Sequence, residues 1–317
     1  MSSVVQIQTQ QTISAPKGPK GPNGKIMDET SDNIDELNRL RALIRGEPID
    51  EASEAAVEAR QTLFRQYNAA KDHVKDFYEE QHAKQTYEFN VEVRKYFDTR
   101  KRVPMTVWQA MERLQKYVDQ SDPDTEVGQI EHLLQTAEAM RRDGRPRWMQ
   151  FTGLIHDLGK LWSSFGANGQ WDVVGDTFPV GCAFEDSNIL NESFKSNPDY
   201  NDPRYNTKYG VYKPNCGLDN VMMSWGHDEY LYLICREQSN LPEEALAMIR
   251  YHSFYALHSE GGYRHLMSPE DLAKLAALKE FNPFDLYSKA DEPPNVEELK
   301  PYYLELIDEF MPGVINW

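Results

Sequence analysis

His156-Asp157-Leu158-Gly159-Lys160 sets an imidazole and a carboxylate side by side in a segment, roughly 146–164, whose pattern is otherwise apolar and helical. Burying such groups without partners is costly. On a helical wheel Trp148, Phe151, Ile155, Leu158 and Trp162 form one stripe, and Gly153, His156, Asp157, Lys160 and Ser164 lie opposite. A solvated face would carry flexible Glu, Lys and Gln along its length. This one is short and reactive, and Gly153 within it predicts a space kept open beside the histidine, at a cost to helix propensity. Partners are available further out. His132 points away from the stripe Ile130, Leu133, Leu134, Ala137 and Met140 of a helix over 126–142. His252 falls within an apolar stripe with Ala245, Met248 and Ile249. His227 follows Met222, Met223 and Trp225, and Asp285 sits in Phe284-Asp285-Leu286-Tyr287. Each of these alone reads more readily as a satisfied core or surface residue than as a ligand. In succession on helices they point to a cluster holding two metal ions, because a buried imidazole needs a hydrogen bond or a metal.

The 317 residues suffice for a large core, and 40% hydrophobic with 27% charged residues is a globular composition. The formal net charge of −17 argues against nucleic acid, whose phosphates reward positive surfaces, and against anionic membranes. Cys182, Cys216 and Cys235 are few, odd in number and without metal-type spacing, which predicts a reduced, intracellular chain with no disulfide framework. Residues 1–12 lack a basic start and a long apolar run, so no secretory signal is read there. A cytoplasmic monomer is expected.

Residues 1–34, with Pro-Lys-Gly-Pro-Lys-Gly-Pro at 16–22, read as a flexible tail. Residues 35–317 read as a single helical domain. Helices are predicted over 35–98, 105–117, 126–142, 146–164, 218–237, 242–257, 268–280 (Ser-Pro-Glu-Asp setting Pro269 at its first position) and 295–310. Between 165 and 217 lies an irregular, lid-like stretch in which the alternation at 171–178 predicts a short strand or hairpin over a pocket. The fold class is therefore all-α, a helical bundle with a lid-like loop. His73, His82, His258 and His265 stand among charged, turn or Gly-rich neighbours and receive no role.

The order His, His-Asp, then a late Asp resembles the HD-domain metalloproteins. His156-Asp157-Leu158-Gly159-Lys160, Val-Gly-Asp-Thr-Phe-Pro-Val-Gly-Cys at 174–182, Cys-Gly-Leu-Asp at 216–219, Met-Ser-Trp-Gly-His-Asp-Glu-Tyr at 223–230, His-Ser-Phe-Tyr at 252–255 and Phe-Asp-Leu-Tyr at 284–287 resemble the myo-inositol oxygenases, from about Arg65 to Trp317. That resemblance implies an HD-type fold and a mixed-valent Fe(II)/Fe(III) pair. One iron would be held by His132, His156, Asp157 and Asp285, the other by His227 and His252, with Asp157 bridging. It implies substrate contacts from Arg65, Asp119, Gln120, Ser121, Lys160, Gly175, Asp176, His252 and Ser253, with Lys160 and Asp157 as the catalytic residues. Gln120 departs from the acidic residue of some relatives. The reaction implied is the four-electron cleavage of the C1–C6 bond of myo-inositol by O₂ to D-glucuronate, the first step of inositol catabolism. Imidazole and carboxylate ligands with open positions suit non-haem iron. A metal-bound hydroxyl becomes more acidic, and Lys160 is placed to steady the resulting alkoxide as a point charge. The alternatives are an HD-type phosphohydrolase using the same cluster and a non-catalytic helical module. The first needs more positive charge than Lys160 supplies, and the second would be expected to have lost a ligand.

Overall fold

The computed structural model describes residues 72–115, 117, 129–286 and 294–317. The predicted tail, residues 35–71, and Arg65, Asp119, Gln120 and Ser121 lie outside them. The helical region read as continuous to residue 98 is two helices, α1 (Asp72–Lys84) and α2 (Tyr87–Thr99). They part because Thr86 turns extended and its hydroxyl caps α2 by accepting from Phe89 N–H. A short strand β1 (Pro104–Met105) leads into α3 (Val107–Leu114), opened by a reciprocal cap between Thr106 and Gln109. Then come α4 (Gln129–Arg142) and α5 (Arg147–Ile155). After the irregular stretch follow α6 (His227–Gln238), α7 (Glu243–Tyr251), the single turn α8 (Tyr255–His258), α9 (Asp271–Leu286), α10 (Val296–Phe310) and β2 (Ile315–Asn316). All-α is the fold class observed. The antiparallel pair β1–β2 is the small exception, and there the buried Trp317 exchanges both backbone hydrogen bonds with Val103.

Two predicted helices are shorter than their apolar pattern, and a third is shifted along the chain to Asp271–Leu286. The one over 146–164 ends as an α-helix at Ile155 and continues as a tighter 3-10 turn, Leu158–Ser164. The one over 218–237 begins only at His227, and the one over 268–280 begins at Asp271. In the last case the Asp271 carboxylate accepts from Ser268 N–H and from Leu218 N–H, so it closes a turn instead of extending a helix. No hairpin forms over 171–178. Trp171, Val173, Val174 and Phe178 are all buried, so the apparent alternation is not a two-sided strand; the local structure is a 3-10 turn and a single bridge between Pro179 and Met223. The stretch is also less a flap than a packed wall. Gln81 Nε2 donates to the carbonyls of Val174 and Asp176, and Gln85 Nε2 to those of Trp171 and Trp225.

The main core joins the first helices to α5, α6 and α10 around Phe97, Trp162, Trp225 and Tyr230, whose rings meet edge-on or tilted. A buried ion network pins α6 in place. Arg250 of α7 makes a two-pronged contact with Glu229 (2.7 and 3.1 Å), and Arg94 of α2 reaches the same carboxylate and the Met223 carbonyl. All three cysteines are free thiols.

His82, given no role above, is wholly buried on α1 and stacked on Phe194 with centroids 3.7 Å apart. Burial pushes its pKa down to about 3. The unfolded chain therefore takes up the proton first. Stability from this group is intact above the unfolded value near 6.5 and falls as pH drops toward 3. Between about pH 7 and pH 5 the loss is on the order of 2 kcal/mol. The urea midpoint should decline across that window, and His82→Phe, which keeps the stack, should flatten the decline; an unchanged slope would rule this origin out.

Candidate metal centre

Six sequence-predicted side chains come together, and each reaches the centre from the end of an element or the turn beyond one. His156 caps the C-terminus of α5, with Asp157 just past it, and His252 caps α7. His227 is the first residue of α6, Asp285 lies in the last turn of α9, and His132 lies in the first turn of α4. Helix C-termini leave carbonyls free to accept, and the imidazoles use them. His156 Nδ1–H donates to Gly153 O at 2.9 Å and His252 Nδ1–H to Ile249 O at 3.0 Å, each three residues back. His227 Nδ1–H donates to Val173 O at 2.9 Å. A carbonyl can only accept, so these bonds fix the tautomer and turn each Nε2 lone pair inward.

The carboxylates stand among those nitrogens. Asp285 Oδ1 is 2.9 Å from His156 Nε2 and 3.3 Å from His132 Nε2. Asp157 faces two ways: Oδ2 lies 3.6 Å from both His132 and His156, while Oδ1 lies 3.5 Å from His227 and 3.8 Å from His252. Two ligands about 2.1 Å from one ion sit about 3 Å apart. The spacing thus divides into a set of His132, His156 and Asp285 and a set of His227 and His252, with Asp157 between them. Gly159 permits this convergence. A Cβ there would lie 1.9 Å from the His227 carbonyl oxygen, so only glycine lets the chain after Asp157 pass against the start of α6. Gly153 has a different use from the one its position predicted. The space above it holds Met140 and Thr136 of α4, so it lets α4 and α5 pack closely.

The chemistry of the donor set calls for cations. His227 Nε2 and His252 Nε2 are 3.2 Å apart, and both rings have already given Nδ1–H to carbonyls. Two ring nitrogens and two carboxylates then face one another in a buried space. Against the burial that would raise it, the Lys160 ammonium and the neighbouring imidazoles hold the Asp157 carboxyl well below the usual range. Asp285 is held well below it too, against burial, by His156 and His132. Burial would lower the His252 pKa, yet Asp228, Asp157 and Asp285 raise it to about 9. The site stabilises positive charge, and the groups present fit a pair of metal ions.

The sequence reading missed one member. Asp228 Oδ1 is 2.9 Å from His227 Nε2 and 3.4 Å from His252 Nε2. The same carboxylate accepts from Ser253 N–H, Ser253 Oγ and Thr177 Oγ1. The second His-Asp dipeptide, at 227–228, was the signal. Of the expected substrate contacts, Lys160 Nζ donates to Asp157 Oδ2 at 2.8 Å, and Ser253 Oγ lies 3.4 Å from His227 Nε2. Asp176 is pushed up to about 7 by burial and accepts from Tyr78 Oη at 3.0 Å. Gly175 adjoins it in the wall beneath α1, where its Cβ position faces Phe77 and Gln81.

The sequence pattern of the family described as "Myo-inositol oxygenase" matches residues 71–317. The chain is 52% identical to inositol oxygenase 1 of Arabidopsis thaliana over 261 residues, covering 80% of this chain and 84% of that one. It is 50% identical to inositol oxygenase of Dictyostelium discoideum, covering 80% and 89%. It is 46% identical to inositol oxygenase of Rattus norvegicus over 259 residues, covering 80% and 90%. A match of this length, taking in every element from α1 to β2, shows that the chain belongs to the myo-inositol oxygenase family.

Proposed function

We propose that this chain opens the ring of myo-inositol with O₂ to give D-glucuronate, and that its centre holds two iron ions. The observation that carries this reading is the two-faced Asp157 carboxylate, set between His132, His156 and Asp285 on one side and His227 and His252 on the other. When bound, iron supplies the O₂ chemistry and the Lewis acidity that makes a polyol hydroxyl acidic. The protein does the rest. Lys160 Nζ, beside the shared carboxylate, offers a positive charge to a deprotonating hydroxyl. Asp176, poised near neutrality, can donate or accept toward a ring hydroxyl. Ser253 Oγ, whose hydrogen goes to Asp228, is left to accept. Arg65, Asp119, Gln120 and Ser121 are proposed to complete the contacts. A site that pairs each hydroxyl rejects isomers strongly, since a mismatched one leaves buried groups unpaired. The packed wall over 171–180 excludes water.

A phosphohydrolase would need several cations for a phosphate. Among the described residues, Lys160 is the lysine or arginine that an ion pair places on Asp157. The test is anaerobic Fe(II) loading of the full chain, then inositol and O₂. One glucuronate per O₂ consumed is expected. Phosphate release from a nucleotide panel, with no O₂ uptake, would overturn the assignment. No helix among the described residues is long and apolar enough to cross a membrane.

A further inference from the structure

Two side chains outside the ligand set converge on one atom inside it. The His252 carbonyl oxygen accepts from His258 Nε2 at 2.9 Å and from Asn282 Nδ2 at 3.2 Å. All three residues are buried. Because a carbonyl only accepts, it settles both assignments: His258 carries its proton on Nε2, and Asn282 turns its nitrogen inward. The other ring nitrogen, Nδ1, lies 3.1 Å from Ser259 Oγ. The arrangement leaves Asn282 Oδ1 buried with no hydrogen-bond partner. An amide kept half-satisfied in a core is there for its nitrogen, since an apolar side chain would fill the space without that penalty.

The two donors come from different elements. His258 ends α8, and Asn282 lies in α9 one turn before Asp285. Asp285 faces His132 and His156, whereas His252 faces His227. Helix α9 therefore touches one half of the centre through a carboxylate and the other half through a backbone carbonyl.

We propose that Asn282 and His258 are positioning residues that fix the spacing of the two metal sites by clamping the His252 backbone to the helix carrying Asp285. This rests on the metal-pair reading above. Released from the clamp, the turn after α7 can rotate, and the His252 ring leaves its place opposite His227. The set formed by His132, His156 and Asp285 keeps its own supports.

The test uses the full chain loaded anaerobically with Fe(II), desalted, and read for iron per chain and for magnetic coupling of the pair. Wild type is expected to hold two coupled irons. Asn282→Leu and His258→Phe are expected to keep the near-ultraviolet circular dichroism of the fold, fall toward one iron per chain and lose the coupling. His258→Gln, whose Nε2 can overlay the imidazole Nε2, is expected to restore both. Two coupled irons in every variant would sink the clamp alone. Unfolding of all three variants would make the pair a general fold element and equally sink it. Fewer than two irons in wild type would sink the metal-pair reading and the clamp with it.

Discussion

Asp157→Ala is expected to release both metal ions and to lower kcat/KM by on the order of 10³-fold or more, as loss of a metal centre's Lewis acidity would. The reason is the position of the two oxygens. Oδ2 serves the side of His132 and His156, and Oδ1 the side of His227 and His252. No other carboxylate among the described residues spans both sets at these distances; Asp285 contacts His132 and His156, and Asp228 contacts His227 and His252. A shared anion also offsets the repulsion of two cations held close, so its removal weakens each site through the other. His227→Ala, by contrast, is expected to spare the first ion. The alanine variant carries a second penalty, because Lys160 loses the partner 2.8 Å away. Breaking a buried ion pair on one side costs about 3–5 kcal/mol, so the metal-free variant should melt below the metal-free wild type. Asp157→Asn keeps the volume and removes the charge, separating the two effects. Iron per chain is the decisive measurement, and two retained irons in Asp157→Ala would remove the bridge.

Much of this centre was legible because metal chemistry restricts residue type more tightly than packing does. Four imidazoles and two carboxylates could be picked from the sequence: the histidines and Asp157 sat in helical contexts that gave them no evident partner, and Asp285 was picked from Phe-Asp-Leu-Tyr at 284–287. The missing parts share a physical cause: they depend on where helices stop. Apolar periodicity runs smoothly through residues 146–164, yet the α-helix ends at Ile155. His156 and Asp157 lie at that break, where the chain tightens from α-helix into the 3-10 turn that begins at Leu158. Asp228 was passed over because His-Asp alone is a weak signal, and its role depends on a turn at Ser253 that lies 25 residues on. His258 and Asn282 act on a backbone carbonyl, which no side-chain pattern announces. The apolar run at 171–178 read as a strand because alternation was assumed to mean one wet face. Trp171, Val173, Val174 and Phe178 are instead all buried, Trp171 against Phe89 and Phe178 against His82, Phe184 and Phe194, and the Trp171 and Val174 carbonyls are met by Gln85 and Gln81.

Lys160→Ala is expected to keep two irons and lose turnover, with kcat down about 10²–10³-fold, the scale seen when one donor to a developing oxyanion is removed. The ammonium is not a ligand. It donates to Asp157 Oδ2 at 2.8 Å and is itself nearly buried. Deleting it takes positive charge from beside the shared carboxylate, which makes that carboxylate a better metal ligand, so iron content should hold or rise. The substrate loses what the metals gain: a hydroxyl giving up its proton has one fewer positive group to meet its charge, and KM should rise together with the fall in kcat. Lys160→Arg keeps the charge but replaces a compact point charge with a broad planar fork, and is expected to restore little. Lys160→Met keeps the length and apolar stem without the charge and should behave like alanine if charge is what matters. The readout is kcat and KM measured separately on iron-replete protein. Intact iron and fold with slow turnover assign the loss to the missing charge. Unchanged kinetics in both Lys160→Ala and Lys160→Met would take Lys160 out of the chemistry and leave it a counter-ion for Asp157.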